Sequence, residues 1–242
     1  MSVLREAAST LRPPAGDRHG PLSPLLVGLT FVTGVVDAVS YLKLGHVFVA
    51  NMTGNVAFLG FALAGAKGLS ATASLLALAS FLAGALAGGR LGALSPDHRG
   101  RMLRAAGTAE AALLAAALIV ALASSQPPTT ATRYALLVPL ALGMGVQNAA
   151  AQRLAVPELT TTVLTRTLTG IASEAGVAGG PGSHLGRRLV AVAAILIGAL
   201  TGGLLALDVS IPAALSLATA IVLAVTLVVH TLSGRRAAWT QA

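Results

Sequence analysis

The sequence predicts an all-α polytopic membrane protein made of two homologous halves. Three observations carry this. The 242 residues are 55% hydrophobic and only 10% charged, with a mean hydropathy of +0.81; a soluble domain carries about 25% charged residues to face water. Eight apolar segments follow one another, at 24–44, 51–66, 71–93, 103–124, 134–152, 158–176, 187–207 and 210–231, most of them near the ~20 residues that cross the hydrocarbon. The second four segments also repeat the first. Residues 81–91 read FLAGALAGGRL and 195–205 read ILIGALTGGLL, seven of eleven identical at an offset of 114. Gly34-Val-Val-Asp37-Ala38 aligns with Gly145-Val-Gln-Asn148-Ala149 at an offset of 111, and Met52-Thr53-Gly54-Asn55 with Leu164-Thr165-Arg166-Thr167 at 112.

Composition excludes several alternatives. Aromatics at 3% argue against a transmembrane barrel with aromatic girdles. The absence of cysteine excludes disulfides and thiolate metal sites. The net charge of +8 lies between apolar runs rather than on one stripe, which reads as topology and not as nucleic-acid binding.

Residues 1–23, with Arg5, Arg12 and Arg18, read as a mobile cytoplasmic tail. No small-residue cleavage site follows a short apolar core, so 24–44 reads as an uncleaved first span. Repeat one covers 24–124, a linker 125–133, repeat two 134–231, and a cytoplasmic tail 232–242. Segments 51–66 and 158–176 open on polar residues, which suits helices that begin inside the protein. Positive charge separates two topologies. If all eight segments cross, with the N-terminus inside, Lys and Arg divide 9 inside and 6 outside. If 51–66 and 158–176 enter and leave on one side, the division is 12 to 3, with Arg166 in the membrane. The second arrangement has six spans, two re-entrant or short helices and both termini cytoplasmic. It makes the halves inverted repeats, a recurrent transporter architecture; eight spans remain the alternative.

Asp37 is the residue most worth explaining. A carboxylate within a span costs about 2.5–3.5 kcal/mol on the insertion scale and therefore faces protein or water. Tyr41 and Ser40 share its helical face and are expected to hydrogen-bond it. Asn51, Thr53 and Asn55 supply polar groups and N-caps for a helix starting at membrane depth, and Thr160, Thr161, Thr162 and Thr165 do the same in half two. Gln147 and Asn148 stand where half one has Val36 and Asp37. Arg166, inside a segment, needs a partner, either Asp37 or Glu174. Together these residues form the expected substrate- or ion-binding set. Gly84-x-x-x-Gly88 and Gly198-x-x-x-Gly202 read as packing faces. No metal spacing, P-loop, dinucleotide fingerprint or nucleophile elbow occurs, so no metal, cofactor or enzymatic activity is expected.

The signatures Gly34-Val-Val-Asp37-Ala38 and Phe48-Val-Ala-Asn51-Met52-Thr53-Gly54-Asn55, with Gly143-Met-Gly-Val-Gln147-Asn148-Ala149-Ala150 and Thr161-Thr162-Val-Leu-Thr165, resemble those of the YoaK-like family of bacterial membrane proteins. The resemblance covers about residues 24–230. It implies a multi-pass protein of the bacterial inner membrane in a family of unknown function, some of whose members are described as permeases. Arg166 departs from the glycine or apolar residue expected there. The expected function is a small-solute transporter or channel with a polar midplane site, proton- or cation-coupled through Asp37. The alternative is a non-transporting scaffold or partner-binding subunit. The expected partners are the lipid bilayer and a small solute or ion, with no nucleic acid; homo-oligomerisation stays open.

Overall fold

Long Ala/Leu/Val runs fold as helices because lipid satisfies no backbone N–H or C=O, so each segment must pair its own. In the computed structural model, described for residues 2–96, 98–125, 127–159, 161–162, 164–174, 184–233 and 238–240, no strand occurs among the described residues. The helices are α1 (Val3–Leu11), α2 (Leu22–Lys43), α3 (Met52–Leu63), α4 (Ala71–Ala93), α5 (Arg99–Ala123), α6 (Thr130–Leu154), α7 (Leu164–Ser173), α8 (Leu185–Leu204) and α9 (Ile211–Ser233). A π-helical turn, Leu205–Val209, extends α8.

Six of these, α2, α4, α5, α6, α8 with its π turn, and α9, are long and apolar enough to cross a membrane. The 12 residues of α3 and the 10 of α7 are too short, since at 1.5 Å per residue neither approaches the ~30 Å of hydrocarbon. Burial decides which helices are central. In α2 and α6, 61% and 67% of the most apolar window is buried, against 28–39% in the other four. The other four turn Leu82, Leu86, Ile119, Leu122, Leu196, Leu200, Leu223 and Leu227 outward, which gives the bundle an apolar belt.

Glycines set the closest contacts. A Cβ on Gly84 would collide with the Leu142 carbonyl, and one on Gly88 with that of Val146, so α4 lies directly on α6. Gly198 meets Phe31 and Gly202 meets Val35 in the same way, joining α8 to α2. These are the two glycine faces read from the sequence. The order of the contacts makes α4 and α6 run in the same direction, and likewise α2 and α8. Gly100 beside Ser233 and Gly107 beside Thr226 set α5 and α9 antiparallel.

Residues 3–11, expected within a mobile tail, instead form α1, which docks on the start of α8. A Cβ on Gly186 would strike the α1 backbone at Val3 and Ala7, so its absence admits α1. Glu6 then accepts the Gly186 N–H at 3.0 Å. A nine-residue helix has little stability of its own; the dock supplies it, and no local pattern announces the dock.

Candidate functional site

Each half places its short helix by the same device, a polar side chain on a central span that holds the chain just before the short helix begins. In half one, α2 ends in a turn that puts Gly45 at φ +113° and closes with the His46 N–H on the Tyr41 carbonyl. The chain then doubles back. Asp37 Oδ1 accepts the N–H groups of Val49 and Ala50 at 2.9 and 2.8 Å. Asn55 is fully buried and accepts from Phe48 N–H at 2.8 Å while donating to its carbonyl at 2.6 Å. Asn51 caps α3. In half two, Asn148 Nδ2 donates to Thr162 Oγ1 at 2.8 Å, and the Thr162 hydroxyl lies 3.0 Å from Asn148 Oδ1. A buried bond joins the two central helices, from Gln147 Nε2 to Thr33 Oγ1 at 2.9 Å.

A cavity of about 990 Å3 opens between these two starts. Asn51 and Thr53 of half one line it, facing Asn148, Gln152, Arg153, Thr162 and Thr165 of half two, with Phe81, Ala85 and Gly89 of α4 as its apolar wall. A lobe of about 120 Å3, lined by Thr33, Asp37, Asn51, Thr162 and Thr165 among others, shares residues with it and reaches the acid. The volume suits a small polar solute. Among the described residues, the charged side chains are Arg153 on the wall of the cavity and Asp37 on that of the lobe. Among the described residues no three His, Asp or Glu side chains come together as a metal site would need.

Thus Asp37, Asn51, Thr53, Asn148, Thr162 and Thr165 of the expected set are brought together. Asn55 and Gln147 hold backbone and helix instead. Tyr41 does not bond the Asp37 carboxylate. Its ring stacks on Phe48 at 5.0 Å and meets His46 edge-on at 5.3 Å, while the Ser40 hydroxyl donates to the Asp37 carbonyl. The carboxylate is directed to the chain that folds back on it, which helix periodicity cannot foresee. Thr161 is buried at φ +62°, away from the main cavity; Thr160 lies outside the described residues. Arg166 is exposed and in none of the ion pairs among the described residues. Glu174, its alternative partner, bonds Arg188 at 2.9 Å.

Arg188 is the residue that sequence reading misses, having counted only as a topology charge. It is buried and binds Glu158 through Nε and Nη2, both at 3.0 Å, and Glu174 through Nη2. Its guanidinium rests on Gly170 of α7. It therefore ties both ends of the α7 hairpin to α8. The Arg188 hydrogen bond holds the Glu158 carboxyl below the ordinary glutamate range. The local signal was available: an arginine one turn inside an apolar helix needs acids.

The family described as "Protein of unknown function (DUF1275)" matches residues 25–228. A curated relative, "UPF0700 transmembrane protein YoaK" of Bacillus subtilis (strain 168), is 33% identical over 147 residues, which is 61% of this chain and 64% of that protein. The match thus spans just under two thirds of the relative's length. No solved structure matches the chain.

Proposed function

The chain belongs to the DUF1275 family of proteins of unknown function, and from that premise we propose that it is a small-solute transporter or channel of the bacterial inner membrane. Its carrying observation is the 990 Å3 cavity of mixed polar and apolar lining, faced by the starts of two short helices that polar side chains hold within the bundle. Solute would sit between Asn51 and Thr53 on one side and Asn148, Thr162 and Thr165 on the other. Asp37, in the adjoining lobe, is the coupling group for a proton or cation. The reading assigns the chain no enzymatic step.

The finer architecture proposed is two inverted repeats, each of three spans and one short helix. Contacts between halves support it. Gly34 lies against the backbone of Ile195 and Ala199, and Gly145 against that of Phe81 and Ala85. The glycines are 111 positions apart and each of the other pairs 114, the offsets of the sequence repeat. The antiparallel α5–α9 pair also fits three spans per half. Four crossings per half would make these two helices parallel. The Lys/Arg asymmetry of this arrangement supports both termini being cytoplasmic.

The test is flux in proteoliposomes carrying an internal pH dye, screened against small polar solutes. Wild-type protein should move protons with one solute class, and Asp37→Asn should lose that coupling with its melting temperature intact. Unchanged coupled flux in Asp37→Asn removes Asp37 from the mechanism. A protein inert to every solute that co-purifies with one stoichiometric partner supports the scaffold instead.

A further inference from the structure

A second cavity, of about 400 Å3, lies where α6 ends and α5 begins, at the bundle end where α2 starts. Its lining carries Arg18, His19, Arg99 and Arg153, and no Asp or Glu among the described residues; neighbouring Asp97 is outside them. Asp17, two residues before His19, spends its carboxylate on the N–H groups of His19 and Gly20 at 2.7 and 3.3 Å. Arg99 is fixed in place, since its Nη2 donates to the Leu154 carbonyl and lies 3.3 Å from His19 Nδ1. Burial, and then the charges of Arg99 and Arg187, push the His19 imidazole below its ordinary value, against the smaller opposing charge of Asp17. A neutral imidazole can accept from Arg99.

Three arginines therefore line one concavity, with no acid among the described lining residues. Like charges so gathered repel, and a bound anion relieves the repulsion. Guanidinium forks match phosphate oxygens in pairs. The 25-residue α5 also begins at Arg99 and adds the positive end of its dipole. Basic pockets between spans, near the headgroup level, are where lipid phosphates are held. We propose that this pocket binds a phosphate oxyanion through Arg18, Arg99 and Arg153. The phosphate comes either from an anionic phospholipid headgroup or from a soluble phosphate compound, and the chemistry of the pocket is common to both.

The chain supplies its own reporter. Trp239 is its single tryptophan. It is buried and packs against Gly20 and Gly100, the neighbours of His19 and Arg99. The experiment titrates the delipidated full chain in neutral detergent with dioctanoyl phosphatidylglycerol, inorganic phosphate and dioctanoyl phosphatidylcholine, reading Trp239 fluorescence and melting temperature. Phosphatidylglycerol or phosphate should saturate, with affinity falling about tenfold or more in Arg18→Gln and in Arg153→Gln and staying unchanged in Arg133→Gln, near the opposite end of α6. Saturation by the lipid alone assigns the headgroup source; saturation by phosphate assigns a soluble one. The proposal is overturned if neither probe saturates, if both pocket variants bind as wild type, or if phosphatidylcholine binds as tightly as phosphatidylglycerol. Arg99→Gln is avoided because Arg99 also holds the end of α6. Arg153 lines both cavities, so Arg18→Gln separates this site from the transport reading.

Discussion

The carboxylate of Asp37 accepts the backbone N–H of Ala50 at 2.8 Å, thirteen residues along the chain, and with the Val49 bond it holds the segment that leads into α3. Asp37 thus has a structural role distinct from any charge it contributes to transport. Asn148, 111 positions further along, shows that a neutral amide can hold the start of a short helix by its own bonds to Thr162.

Two variants separate these roles. Asp37→Asn keeps an oxygen for both N–H groups and should melt within a few degrees of wild type in detergent. Asp37→Ala leaves the N–H groups of buried Val49 and Ala50 without an acceptor and should cost about 2–3 kcal/mol, read as a lowered melting temperature. Equal melting of the two variants would show that the bonds contribute nothing.

Close helix approach gives a sharper contrast. Gly84→Val and Gly198→Val put a side chain into the backbone of α6 and α2 respectively. Each should destabilise the bundle by at least ~2 kcal/mol or abolish folding. A Cβ on Gly60 meets nothing within 4 Å, so Gly60→Ala should be neutral or slightly stabilising. Size-exclusion profiles of the three variants check this; a monodisperse Gly84→Val protein with wild-type melting would contradict the contact.

Topology is open to labelling because the chain has no cysteine. Single cysteines at Lys67 and Arg187 should react from opposite sides of the membrane, 67 in intact cells and 187 only after lysis. Labelling of both from one side means eight crossings and removes the inverted repeat.

The Arg188 clamp carries a pH signature. The Glu158 carboxyl titrates below its ordinary value in the folded chain, so its stabilising contribution is present above the unfolded glutamate value of about 4.3. It is lost as pH falls through the lower folded value. Protection factors of the α7 amides, which divide out the intrinsic pH dependence of exchange, should therefore be high at pH 7 and fall below about pH 4. Glu158→Gln should exchange faster already at pH 7, with a flatter profile. Arg188→Gln should loosen α7 further, because it releases Glu174 as well. A wild-type profile in Glu158→Gln would mean that the pair does not hold the hairpin.

The linear sequence determined that this is a helical membrane protein, because hydropathy and segment length are summed locally and lipid leaves the backbone no other solution. It also located the glycine faces, the polar starts of both short helices and six residues of the cavity, since these are composition and spacing. Tertiary structure alone decided the rest. Asp37 faces the returning chain at Val49 and Ala50 rather than Tyr41 or Arg166, because the turn after α2 sets what lies opposite an acid. Arg188, not Arg166, takes Glu174, because α7 lies against α8 so that Gly170 receives the guanidinium. Arg18, Arg99 and Arg153 come from three distant parts of the chain and meet only when α5, α6 and the segment before α2 pack. Partner choice depends on which surfaces come within a few ångströms, and separation along the chain carries no information about that.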